Sequence, residues 1–172
     1  MHMEIKFVTT GGTIDKSYSK SKGTYNFDIL GPSICNILKN ANPNFGYEVI
    51  SLTKKDSLDL TEEDRQLILD SCRGIRNKRI IITHGTDTII ETARKLSSLK
   101  NKTIVLVGSS QPERFKESDA DFNVGCAVGA INVLSPGIYI AMNGRIYRWD
   151  ECKKLDSGHF VSKQNQNNLY KG

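Results

Sequence analysis

The sequence predicts an α/β domain, a mostly parallel sheet between two layers of helices, finished by a C-terminal β-hairpin. Three observations lead there. Short apolar, β-branched runs at 4–10, 80–82 and 103–107 alternate with stretches of helical periodicity, the pattern of parallel strands joined by helical crossovers. These runs end in glycines and hydroxyls: T-G-G-T at 10–13, H-G-T-D at 84–87 and G-S-S-Q at 108–111. Asn143-Gly144, set between I-Y-I-A-M and R-I-Y-R-W, is a two-residue hairpin turn.

Taken in order, residues 4–10 form the first strand. Residues 15–28 are polar, with Gly23 as a hinge and tyrosines at Tyr18 and Tyr25, and they exceed an ordinary connection, so either a lid loop or a disordered insertion is expected. Gly31-Pro32 opens a helix through Ile34, Ile37 and Leu38, which Asn42-Pro43 ends. Tyr47 to Leu52 is the second strand, leaving through K-K-D-S-L-D-L. Thr61 and Asp64 make a capping box for a helix carrying Leu67, Ile68 and Cys72, closed near Gly74. The run Ile80–Ile82 is too short for a helix and reads as a buried strand, followed by a helix through Ile89, Ile90, Ala93 and Leu96. Thr103–Val107 is a further strand. Residues 119–134 are a helix whose Ala120, Ala127, Ala130, Gly125 and Gly129 suit close packing on the sheet. The hairpin follows, and residues 157–172 read as a polar tail after a domain spanning 1–156.

Size and composition bound the function. A chain of 172 residues is one domain with one core, and 38% hydrophobic with 25% charged residues is ordinary globular material. No apolar run approaches the ~20 residues of a membrane span, and M-H-M-E-I-K-F is not a signal peptide. A cytoplasmic protein without membrane contact is therefore expected. The net charge of +5 is scattered; its densest group, Lys16, Lys20 and Lys22, lies among serines without interleaved aromatics, so no nucleic-acid partner is expected. Cys35, Cys72, Cys126 and Cys152 form no C-x-x-C pair, and His2, His84 and His159 have no H-x-x-x-H spacing, so neither disulfides nor a metal are expected. T-G-G-T-I-D-K is not a phosphate loop and no G-x-G-x-x-G occurs, so no nucleotide cofactor is expected. For assembly, an isologous dimer is the base-rate expectation.

Strand exits are where open α/β sheets bind ligands. Four of them carry hydroxyls: Thr13, Ser57, Thr86 with Asp87, and Ser109 with Ser110. One alone needs no more than a backbone explanation, and Thr86 or Asp87 could simply cap the helix that follows. Together they predict a polar pocket for a small molecule. A threonine hydroxyl needs a base or donor network to become a nucleophile. Thr13 is internal, so its helpers would be Tyr25 from the lid or a relay of Thr86, Asp87 and a lysine; Asp87 could instead bind a substrate ammonium. Gly11, Gly12 and Gly85 let backbone N–H groups approach an oxyanion. That set suits acyl transfer from a small amide.

T-G-G-T-I at 10–14 with H-G-T-D-T at 84–88 resembles the bacterial-type L-asparaginase family. The likeness continues through K-D-S-L-D-L at 55–60, P-E-R-F at 112–115, S-D-A-D-F-N at 118–123 and M-N-G-R-I at 142–146, and it spans nearly the whole chain but only the family's N-terminal domain. It implies a flavodoxin-like three-layer fold and hydrolysis of L-asparagine, or a related small amide, to the acid and ammonia. By position it implies Thr13 as nucleophile, Tyr25 as its lid partner, and Thr86, Asp87 and a lysine as a second group. That lysine is Lys154, with Lys153 one residue before it as the alternative. Ser57 would hold the substrate α-carboxylate and Asp87 its amino group, with Gly12, Asp59, Gly85 and Ser110 as further binding residues. Gln111 stands where the family segment has an arginine. Family sites take further contacts from the C-terminal domain of a neighbouring subunit, so a wetter, more open site is expected without them. The competing reading is a binding module that keeps the amino-acid pocket without efficient turnover.

Overall fold

A computed structural model describes residues 4–18 and 27–163. The elements are β1 (Glu4–Gly11), β2 (Lys16–Tyr18), β3 (Phe27–Ile29), α1 (Ile34–Ala41), β4 (Gly46–Lys55), α2 (Glu62–Gly74) and β5 (Arg79–Thr83), then α3 (Ile89–Leu96), β6 (Thr103–Val107), α4 (Ala120–Ile131), β7 (Gly137–Met142), β8 (Arg145–Arg148), β9 (Cys152–Lys154) and β10 (Phe160–Ser162). Short 3₁₀ turns at Thr13–Asp15 and Ser57–Asp59 follow β1 and β4.

Six strands form one sheet in the order β4-β1-β5-β6-β7-β8. All neighbours are parallel except β7 and β8, whose hairpin turns at Asn143 and Gly144 with φ of 53° and 75°. Counting only the parallel strands, this is the 2-1-3-4-5 order of flavodoxin-like sheets. The inner strands β5, β6 and β7 are mostly apolar because both faces are covered, whereas the edge strands β4 and β8 carry exposed charged residues. Ile80 and Ile82 pack with α2 and α3, Ile81 packs with α1 and α4, and all three are fully buried. At about 1.5–3 kcal/mol per buried side chain, a run of three isoleucines is stable only as a covered central strand.

The distribution of helices fixes the hand of each connection. The chain steps one way from β1 to β4 with α1 on one face. It then steps the other way through β5 and β6 with α2 and α3 on the opposite face. Reversing both direction and face preserves hand, so these three crossovers share the right-handed sense usual for such units. The step from β6 to β7 continues in the same direction, yet α4 lies on the α1 face. That crossover is therefore left-handed.

Three sequence expectations change. Residues 15–28 are not loop throughout: β2 and β3 pair antiparallel, Lys16 with Ile29 and Tyr18 with Phe27. Tyr25 and Gly23 lie outside the described residues. Gly125 and Gly129 face solvent, and a Cβ on either would touch nothing; α4 buries Ala120, Val124, Ala127 and Ile131 instead. The presumed tail includes β10, which pairs with β9, and Phe160 is 3% exposed in the core. The Tyr147 hydroxyl donates to the Phe160 carbonyl at 2.7 Å, and Asn143 Oδ1 accepts from the Phe160 N–H at 3.0 Å. One aromatic side chain and these bonds outweigh the polar composition around them. The capping box forms as expected, with the Asp64 N–H donating to Thr61 Oγ1 and the Thr61 N–H to Asp64 Oδ2.

Candidate active site

The sheet order reverses direction at β1 and β5, so their C-terminal ends open a crevice between the helices that leave to either side. T-G-G-T ends β1 and H-G-T-D follows β5. The two strands stay in register to Thr9 and Thr83, and the Thr10 hydroxyl then donates to the Thr83 carbonyl at 3.0 Å, clamping the two exits together.

Glycines bring the exits into backbone contact. Gly12 has φ of 86°, and a Cβ there would lie 2.4 Å from the Gly85 nitrogen. A Cβ on Gly85 would lie 2.6 Å from Ser57 Cβ. Gly12, Gly85 and Ser57 are thus stacked side by side, with both glycine positions closed to a larger residue. The Gly12 N–H is already engaged, donating to the Lys55 carbonyl at 2.9 Å. By contrast, the N–H groups of Thr86 and Asp87 meet no acceptor among the described residues, which leaves them for a ligand anion.

His84 pins this turn from inside. It is fully buried, with Nδ1 2.7 Å from the Gly85 carbonyl and Nε2 2.8 Å from Thr92 Oγ1. A carbonyl only accepts, so Nδ1 carries the proton and Nε2 accepts from the threonine hydroxyl. Burial pushes the imidazole down to about 4. Across a trans peptide the Gly85 carbonyl and the Thr86 N–H point oppositely, so the bond to the buried ring turns the Thr86 N–H away from the interior.

Neither Thr86 nor Asp87 caps α3. The helix begins at Ile89 with Thr88 at its N-cap, and the Thr88 side chain donates instead to the Ser57 carbonyl at 2.7 Å. Thr86 and Asp87 meet a lysine. Lys154 Nζ lies 3.0 Å from Thr86 Oγ1 and 2.5 Å from Asp87 Oδ1. Of the two candidate lysines, Lys154 makes this contact. It is carried by β9, and its register partner across the β9–β10 pair is Phe160, so the segment misread as tail holds this lysine in place. The Lys154 side chain is 24% exposed and that of Asp87 48%, so one end of the group faces solvent.

The remaining predicted residues fall as follows. Thr13 opens the 3₁₀ turn after Gly12 and is partly exposed. Ser57 is buried, and its Oγ, packed against Gly85 and closed off from solvent, has no hydrogen-bond partner among the described residues. Asp59 is exposed on the same short turn. Ser110 follows β6, its N–H held by the Asp119 carboxylate at 2.9 and 3.0 Å. The same carboxylate takes the Gln111 N–H at 3.1 Å, while the Gln111 carbonyl accepts from Ser118 Oγ at 3.1 Å, so this loop is held through its backbone. Sequence reasoning missed His84 and Thr88 as structural pins, and Asp56, whose carboxylate meets Lys16 and accepts the Leu58 N–H. Their position beside the glycine-threonine and serine motifs was the only signal.

Comparison with known proteins agrees with this layout. The model of the asparaginase N-terminal domain matches residues 4–170. A glutaminase-asparaginase of Acinetobacter glutaminasificans is 31% identical, covering 92% of this chain and 53% of its own. One subunit of a glutamyl-tRNA(Gln) amidotransferase from Methanococcus maripaludis is 28% identical over 81% of this chain and 35% of its own. Among solved structures, the thermostable L-asparaginase from Thermococcus kodakarensis superposes with a TM-score of 0.80 at 28% identity, covering 93% of this chain and 51% of that one. The chain spans about half the length of that glutaminase-asparaginase and that L-asparaginase. With its N-terminal-domain match running almost from end to end, the chain belongs to the asparaginase family.

Proposed function

We propose that the crevice hydrolyses the side-chain amide of L-asparagine, or of a closely related small amide, through an ester on Thr13. The observation that carries this reading is the lysine held between a hydroxyl and a carboxylate, Lys154 with Thr86 and Asp87, at the sheet edge that also presents Thr13. A nucleophile, a polar group able to pass protons and free backbone donors are the parts acyl transfer requires.

In this reading Thr13 Oγ attacks the amide carbon and its proton leaves with the departing nitrogen as ammonia. The N–H groups of Thr86 and Asp87 hold the negative oxygen. Water then attacks the ester, its proton returning to Thr13 Oγ as the carboxylic product leaves. Lys154 Nζ, bonded to both partners, orients the Thr86 hydroxyl and forms the path by which a proton can be handed on. Ser57 Oγ takes the α-carboxylate, and the solvent-facing part of Asp87 takes the α-amino group. Tyr25 is proposed to assist Thr13 from the lid. Gly12 and Gly85 form the floor, with Asp59 and Ser110 at its margins. Relatives named for both glutamine and asparagine chemistry support an amide substrate without choosing its length.

The test is ammonia release from L-asparagine by the wild type beside Thr13→Ala, over a wide substrate range. Release that falls at least about 10³-fold in the variant is expected. Equal release from both proteins refutes the assignment of Thr13. Calorimetric binding of L-aspartate without any release would establish the binding-module reading instead.

A further inference from the structure

We propose that the ion pair between Lys16 and Asp56 is a spacing tie that fixes Thr13 relative to Ser57 and so makes the crevice favour the β-amide of asparagine over the γ-amide of glutamine. This rests on the assignment of Thr13 as nucleophile and Ser57 as carboxylate anchor. Lys16 opens β2 directly after the turn Thr13–Asp15, and Asp56 directly precedes Ser57. Lys16 Nζ meets Asp56 Oδ2, with the two side chains 23% and 27% exposed, so the pair is partly shielded from solvent.

Thr13 is thereby bracketed. On one side the Gly12 N–H donates to the Lys55 carbonyl at 2.9 Å; on the other, Lys16 reaches Asp56. The anchor has its own fixings: Thr88 Oγ1 donates to the Ser57 carbonyl at 2.7 Å, and Gly85 lies against the Ser57 side chain. Asp56 Oδ1 accepts the Leu58 N–H at 3.3 Å, which couples the ion pair to the turn carrying Ser57. The turn that carries Thr13 is also held at Ile14 by the Glu113 N–H and at Asp15 by the Ser33 N–H, but those bonds lead to other parts of the fold, whereas the ion pair joins it to the turn carrying Ser57. Glutamine has one more methylene than asparagine, which moves the amide carbon by about 1.5 Å relative to the α-carbon. A misplacement of about 1 Å at a reacting centre can cost about 10²-fold in rate. A cross-tie that holds this spacing is therefore a means of discrimination between the two amides.

The experiment compares wild type with Lys16→Met, Asp56→Asn, the double variant and Lys16→Arg. Asparagine over Asp56 keeps an oxygen for the Leu58 N–H while removing the charge. Two ratios are read: kcat/KM for asparagine over glutamine, and calorimetric affinity for L-aspartate over L-glutamate. Wild type is expected to favour the shorter member of each pair. Both ratios should fall about 10-fold in each single variant, fall no further in the double, and stay within about threefold in Lys16→Arg. Equal losses on both members, losses that add in the double variant, or a wild-type preference for the longer member overturn the proposal. Absence of ammonia release from folded wild type counts against the amidohydrolase reading; the binding ratio alone then decides the tie, and an unchanged ratio overturns it. Binding of neither ligand by wild type overturns both.

Discussion

Asp15→Asn should stabilise the protein at neutral pH and lose that advantage as the pH falls. Asp15 ends the turn that carries Thr13, is 3% exposed and accepts the Ser33 N–H at 2.7 Å. Burial raises its carboxyl from 3.8 to about 6, with the Ser33 hydrogen bonds opposing and Glu113 adding to the rise. At about 1.4 kcal/mol per pH unit, the folded state disfavours the ionised form by about 3 kcal/mol. Asn carries no charge and keeps an oxygen for the Ser33 N–H, so the variant should be about 2–3 kcal/mol more stable at pH 7.5. Between pH 6 and 3.8 the native protein binds more protons than the unfolded chain at this site. Wild type therefore gains stability from it as the pH falls, and the difference shrinks to below about 1 kcal/mol by pH 4. His84 works in the opposite direction: its folded value of about 4 lies below the ordinary 6.5, so its contribution is complete above 6.5 and drains away as the pH falls toward 4. That loss is about 3 kcal/mol by pH 4, and Asp15 returns about 2 kcal/mol over much the same window. The wild-type contribution of the pair is nearly flat, whereas the variant keeps only the decline. Urea unfolding of both proteins at pH 7.5, 6, 5 and 4 measures the difference, from which groups that titrate alike drop out. A difference that is constant across this range refutes the buried, proton-binding Asp15.

Two further outcomes test the site from other directions. Lys154→Met should lower kcat by about 10²–10³-fold with little change in the urea midpoint, because it removes the bonds to Thr86 and Asp87 from a partly exposed position; steady-state kinetics beside a denaturation curve checks it. Phe160→Ala should cost about 3–5 kcal/mol in equilibrium unfolding and should depress activity even where the protein remains folded, since β10 supports the strand that carries Lys154.

Much of the fold was legible because the core strands obey one rule. Ile80–Ile82 and Thr103–Val107 are apolar on both faces, and such runs between helical stretches have few other solutions. The capping box at Thr61 and the turn at Asn143-Gly144 are local chemistry, readable without knowing the neighbours. What was illegible depended on distant partners. Nothing near Phe160 in sequence signals that Tyr147 and Asn143 wait for its backbone. The small residues of α4 look like a packing face, but helical phase puts Gly125 and Gly129 outside, Ala120 and Ala127 inside and Ala130 between them. For the site, glycine and threonine types identified the two exits. The choice of Lys154 over Lys153 came from register with Phe160, and the part played by His84 needed Thr92 in view.

The left-handed connection between β6 and β7 has a local consequence at the site. A right-handed crossover would place α4 beside α3, and the chain leaving β6 would turn toward that face. With α4 on the α1 face, residues 108–119 run past the sheet edge to the turn that carries Thr13. There the Glu113 N–H donates to the Ile14 carbonyl at 3.1 Å, and Phe115 stacks on Tyr18 of β2 with centroids 5.2 Å apart. Asn123 Nδ2 then reaches back from α4 to the Gly108 carbonyl at 3.1 Å and to Asp119 Oδ2 at 2.9 Å, closing the loop on itself. The fold thus accepts the less common hand and gains a third support for the turn that carries Thr13, besides β1 and β4. Breaking the Asn123 bonds would be felt at Thr13 through this loop, although Asn123 lies in a helix on the flank of the sheet.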